Sequence, residues 1–181
     1  IGQKIEGDRK IFIDLMNEKI KRLGLTNTNF ANPSGIDDIR QFSTVRELSV
    51  ITQYALNNYP DIAKIVKIKD YIFTKNNYHE KYSIVNWNSL IGIYPGVVGV
   101  KIGHTESSGH STIVLSEREG EKIMIVLIGA PDRRARDLWT VDLLNSAFEQ
   151  KGIKKFKVTR DMLIKRSYEW SLVLYEKMEE N

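Results

Sequence analysis

Phe12, Met16, Ile20 and Leu23 return every three to four residues, the repeat of one helix face, and Gly24 after them predicts the stop. From Thr26 to Gly35 the chain is polar and rich in Asn, Pro, Ser and Gly, which predicts an ordered loop pinned to the core by Phe30. Ser43 and Thr44 then open a second helix. Thr44 and Glu47 have the spacing of a capping box, in which each side chain satisfies a free N–H at the helix start. Leu48, Ile51 and Ala55 form its inner face, and Pro60 ends it.

The period then changes. Tyr71–Phe73 and Tyr82–Val85 read as short strands around a polar tip at Lys75–Tyr78. Three more strands follow in close order: Val97–Ile102, Thr112–Leu115 and Lys122–Ile128. The last is almost wholly apolar and predicts a central strand covered on both faces. Glu117–Gly120 makes the turn before it. Val141, Leu144, Ala147 and Phe148 mark a long helix ending near Gly152. Strands joined by short turns pair antiparallel, because parallel pairs need long crossovers. The fold class is therefore α+β, an antiparallel sheet flanked by helices. Beyond Lys154, Phe156–Val158 reads as a possible strand, and Trp170 to Tyr175 holds a short apolar cluster.

Composition narrows the chemistry. A chain of 181 residues with 41% hydrophobic and 28% charged residues fits one domain with an ordinary core. No apolar run approaches the ~20 residues that span a bilayer. Cysteine is absent, which excludes disulfides and thiolate chemistry. The formal net charge is +4, and basic residues gather late, at Lys151, Lys154, Lys155, Lys157, Arg160, Lys165 and Arg166. Phe156 is the only aromatic interleaved with them, so the pattern fits a solvated basic face, or weak attraction to an anionic wall or lipid surface, better than a nucleic-acid module. His79 and His110 lack metal-ligand spacing with acidic residues, so neither a metal site nor a cofactor is expected.

The candidate chemistry sits in Gly96-Val97-Val98-Gly99-Val100-Lys101-Ile102-Gly103-His104-Thr105, a strand with one ammonium followed by a glycine. Such a lysine can receive a carboxylate, and the glycine lets a ligand lie close to the strand. Lys101 also reads as an ordinary strand-end lysine. This block stands in order with three others: Phe12 to Asn17 running through Leu23 to Gly35, Gln41-Phe42-Ser43-Thr44, and Val126 to Pro131 leading into the helix that ends at Phe148. Together they resemble the later part of a serine-type D-alanyl-D-alanine carboxypeptidase, of the low-molecular-mass penicillin-binding proteins, over residues 11 to 150.

The resemblance implies a partial β-lactamase/transpeptidase-like domain at residues 1–152 and a C-terminal extension at 153–181. It implies a serine hydrolase whose nucleophile attacks the penultimate D-alanine carbonyl of the peptidoglycan stem peptide, with β-lactams acylating the same serine. Lys101, Ile102, Gly103 and His104 match the carboxylate-binding Lys-Thr-Gly strand, and Arg136 falls where the family carries a second carboxylate-binding cation. Arg136 otherwise reads as a surface arginine like Arg133 and Arg134 beside it, and His104 as a polar strand-end residue.

Three departures stand out. Ile102 replaces threonine and loses a donor to the carboxylate. Trp87 stands where the family often has arginine, and Val98 where it usually has aspartate; both lower the expected polarity of the cleft. The nucleophile motif Ser-x-x-Lys and the relay motif Ser-x-Asn occur nowhere in the chain. The expectation is a carboxy-terminal portion, inactive alone, in the extracytoplasmic envelope. Its apolar sheet edge would be covered by a preceding segment or by self-association. The alternative is a non-catalytic peptidoglycan-binding module of the same fold.

Overall fold

The computed structural model describes residues 7–175. Helix α1 spans Arg9–Arg22, capped by Asp8, whose carboxylate accepts from the Lys10 N–H at 2.5 Å. Its end is a Schellman motif: Gly24, at φ +74°, turns the chain so that its N–H reaches the Lys21 carbonyl and the Leu25 N–H reaches that of Ile20. Helix α2 spans Val45–Asn58, with the Thr44 hydroxyl accepting from the Glu47 N–H at 3.1 Å. The second half of the expected capping box is absent. The buried Glu47 carboxylate turns instead to the polar loop, accepting from the N–H groups of Thr26 and Asn27 and from the Thr28 hydroxyl. Pro60 ends α2 and opens a short helix α3, Pro60–Ile65, because proline's fixed φ and missing N–H suit a first helical position.

The predicted strands fall into two sheets. β1, Asp70–Phe73, pairs antiparallel with β2, Tyr82–Val85, as a separate two-stranded ribbon. β3, Val97–Thr105, β4, Gly109–Arg118, and β5, Glu121–Ala130, form an antiparallel sheet in the order β3-β4-β5. The turn into β5 is tight because both Glu119 (φ +51°) and Gly120 (φ +83°) are left-handed, matching the strand twist. Gly96 immediately precedes β3 where a Cβ would lie 1.9 Å from the Glu117 carbonyl, so only glycine lets the chain approach β4 there.

β5 is covered on both faces, by helix α4 (Arg133–Glu149) on one side and α2 on the other. It is nevertheless an edge strand, not the central one: β4 occupies the middle. The apolar run reported two covered faces, which a strand can have at any position in a sheet. The main core lies on the α4 face, where Val97 and Val114 meet Val141, Leu144 and Phe148.

Residues 156–158 do not form a strand. Phe156 instead exchanges hydrogen bonds with the Asn145 side-chain amide, its N–H to Oδ1 at 2.9 Å and its carbonyl to Nδ2 at 3.0 Å. That amide stands in for a strand partner. Helix α5, Arg160–Tyr175, follows, with Leu163, Arg166 and Trp170 on its buried side. The late basic cluster is dispersed: Lys151 pairs with Glu121, Lys155 with Glu149, and Arg166 is buried beside Glu169.

Candidate active site

Strand β3 presents Lys101, Ile102, Gly103 and His104 to a groove of about 1390 Å³. The register with β4 sets Lys101 opposite Ile113, Gly103 opposite Ser111 and His104 opposite His110. Lys101 is exposed, and its ammonium donates to the Ile102 carbonyl. A Cβ at Gly103 would meet nothing within 4 Å, so the space above the strand is open. Ile102 also lines the groove. It offers an apolar surface with no side-chain hydrogen-bond donor.

The opposite wall is the polar loop. Asn17 clamps Phe30 by two hydrogen bonds of 2.8 Å, one to its carbonyl and one from its N–H. Phe30 itself is only half-buried, so the loop is held by Asn17 and Glu47 rather than by an aromatic anchor. Burial pushes the Glu47 carboxyl up, but the donors on Thr28, Asn27 and Thr26 together outweigh it and hold it below the usual carboxylate range. Thr28 also bonds Ser43 at 2.7 Å, and Ser43 lines the groove.

Arg136 is not a surface residue. It is 1% exposed, in the first turn of α4, and is one of the residues lining the groove. Its Nε lies 2.8 Å and its Nη2 2.7 Å from Asp137 Oδ1. Burial pushes the Asp137 carboxyl up, against the pull of Arg136 and a hydrogen bond from Ser89. Sequence reasoning could not see this pair, since neighbouring opposite charges are common on helix surfaces.

The groove is cationic on this side. Lys101, Arg133 and Arg136 line it beside the imidazoles of His104 and His110, and two acids, Asp37 and Asp38, stand on the same rim. Asp37 is held below the usual range by hydrogen bonds from Ser107 and Thr105. Asp38 is pulled down to about 2, chiefly by its hydrogen bonds with Arg40. Asp38 is thus paired with Arg40, whereas Asp37 keeps its negative charge beside Ser107 and Thr105, so an anion entering beside β3 is drawn to the side of Lys101 and Arg133. Trp87 lines the groove as expected, but Val98 does not: it faces a smaller cavity between α2, α3 and the sheet. The substitution at position 98 therefore leaves the groove's polarity unchanged.

The helix-flanked antiparallel sheet is that of the penicillin-binding D,D-peptidases. The solved structure of penicillin binding protein 5 from Haemophilus influenzae aligns with a TM-score of 0.74 at 29% identity, covering 82% of this chain and 42% of that one. A mutant of the Streptomyces K15 DD-transpeptidase aligns at 0.72 and 28%, covering 77% and 55%. The chain belongs to the D-alanyl-D-alanine carboxypeptidase family (peptidase S11), whose model matches residues 1–132. It is 32% identical over 151 residues to the Bacillus subtilis D-alanyl-D-alanine carboxypeptidase DacF and 28% identical over 149 residues to DacA of Haemophilus influenzae. Those matches cover 83% and 82% of this chain but only 38% and 37% of the relatives.

Proposed function

We propose that the groove beside β3 receives the carboxyl end of a peptidoglycan stem peptide, and that the chain supplies the substrate-recognition side of a D-alanyl-D-alanine carboxypeptidase. The observation that carries this reading is the placement of Lys101, Gly103 and His104 on the edge of β3, across a groove that Arg136 also borders. Among the described residues no strand pairs with the outer edge of β3. An extended peptide can add there as a further strand, its terminal carboxylate held by Lys101 and Arg136.

In the reaction, a serine oxygen attacks the penultimate carbonyl and a base takes its proton. The peptide bond breaks, the terminal D-alanine leaves with a proton on its nitrogen, and water hydrolyses the acyl-serine. The sequence holds no Ser-x-x-Lys. These 181 residues therefore carry neither that nucleophile nor its base, and the chain alone is inactive. β-Lactams, with a carboxylate beside a reactive carbonyl, fit the same groove. A substrate in the cell wall implies work in the extracytoplasmic envelope. The apolar groove floor of Ile113, Val126 and Ile128 is suited to cover by a further segment or by a second copy.

The test has two arms. Titration with a peptide ending in D-Ala-D-Ala, followed by NMR, should shift β3 resonances, and Lys101→Ala should weaken that binding about tenfold. A fluorescent penicillin should leave no covalent adduct on this chain; an adduct overturns the assignment of inactivity. Ile102 and Trp87, both apolar and both in the groove, favour a second reading as a wall-binding module without catalysis. Penicillin labelling of the full gene product separates the two, since only the enzyme is acylated.

A further inference from the structure

Lys101 and Arg136 account for one carboxylate, which leaves Arg133 unused in the same groove. Arg133 has no acidic ion-pair partner among the described residues, yet it is not a free surface arginine. Its Nη2 donates to Ser167 Oγ at 3.0 Å, and its guanidinium carbon lies 5.5 Å from the centre of the Trp170 ring. Trp170 is buried in α5 and packs edge-on against Trp87, centroids 5.2 Å apart at 61°. Trp87 remains half-exposed on the groove wall. One buried indole thus props both a guanidinium and an exposed indole against the same cleft. The prop comes from α5, beyond the residues that the family model matches.

We infer that Arg133 and Trp87 form a second subsite, which takes an internal side chain of the peptide carrying a carboxylate on an aliphatic stem. This rests on the groove being the peptide site proposed above. The chemistry follows from the pair. A guanidinium held in place before binding loses little freedom when it grips a carboxylate with two parallel hydrogen bonds. The flat apolar face of Trp87 covers methylenes that water would otherwise contact. A neutral or cationic side chain gains only the second contact, and a cationic one is repelled by Arg133. The groove thereby selects among stem peptides by the charge of an internal residue while reading the same D-Ala-D-Ala end.

Two synthetic peptides ending in D-Ala-D-Ala test this, one with a free carboxylate on its internal side chain and the other with that group as the amide. NMR titration of the chain should show the acid binding about tenfold more tightly than the amide, the worth of one charge-assisted contact. Arg133→Gln should bring the acid down to the amide's affinity, and Arg133→Lys should restore part of the gap. Ser167→Ala, which leaves Arg133 charged and over Trp170 but removes its hydroxyl acceptor, should narrow the gap while far-UV circular dichroism stays unchanged. Equal affinities of the two peptides for the parent chain overturn the subsite and leave the carboxyl-end reading standing. Failure of both peptides to bind overturns both.

Discussion

The rings of His104 and His110 stack across β3 and β4, with centroids 3.9 Å apart and planes 23° apart. Two neutral imidazoles tolerate this distance; two imidazolium ions repel each other. Around the pair stand Arg133 and Arg136 of α4, Asp132 at its cap, and Asp37 of the loop near His104. Burial holds the His110 imidazole below its ordinary value, and His104 and Arg136 push the same way, outweighing Asp132.

The sign of the pH effect follows. A depressed folded-state value means that the fold prefers neutral His110. The stabilisation is present above the ordinary value of about 6.5 and is lost as pH falls through the lower folded value. Thermal melts should therefore show a larger drop between pH 7.5 and 5 in the parent chain than in His110→Phe, which keeps the stacked ring and removes the charge. Equal drops would place the pH dependence elsewhere.

Ile102 is the clearest change in the carboxylate cradle. It half-faces the groove and donates nothing to an anion. Ile102→Thr adds a hydroxyl at the position nearest Lys101, and a hydrogen bond to a charged group is worth about 1.5–3 kcal/mol. Affinity for a D-Ala-D-Ala peptide should rise at least about tenfold, read by NMR titration. An unchanged affinity would mean that the carboxylate lies away from position 102.

How far the sequence foretold the site depends on the kind of signal. The helices α1 and α2, the β4–β5 hairpin and the Lys101 strand were legible because periodicity and turn chemistry are local, although in α2 the buried positions are Glu47 and Thr52 while the expected face of Leu48, Ile51 and Ala55 is only half-buried. Glu47 was half legible: its spacing from Thr44 revealed the cap, but its bonds to Thr26, Asn27 and Thr28 cross about twenty residues and leave no local trace. Arg136 was placed only by resemblance, and its burial beside Asp137 has no pattern. Helix α5 did carry one: Leu163, Arg166 and Trp170 recur at helical spacing, but a basic residue in the middle of the buried stripe masked it. An ion pair with Glu169 at 3.1 Å and cation–ring contact with Trp170 at 5.4 Å let Arg166 sit there.

That contact predicts the consequence of removing Trp170. It is 2% exposed, and Arg133, Arg166 and Trp87 all rest on it. Trp170→Ala should lower unfolding stability by about 3–5 kcal/mol, the usual cost of emptying a large buried aromatic site. Urea denaturation followed by circular dichroism measures it. The change should also free Trp87, seen as red-shifted tryptophan emission under conditions where the fold persists. A loss below about 1 kcal/mol would mean that α5 is only loosely attached.

The outer edge of β5 poses a separate question. No strand pairs with it among the described residues, and Ile128 on it is 44% exposed. An open apolar edge recruits another strand or another copy unless a charge blocks it. Sedimentation velocity at rising concentration should therefore show association of the parent chain, and Ile128→Lys should suppress it, because a lysine on a strand edge keeps its ammonium in water and holds off a second strand. Ile128 also lines the groove beside β3, so a peptide seated there should reduce the association as well. Association that persists in Ile128→Lys would place the contact between copies elsewhere.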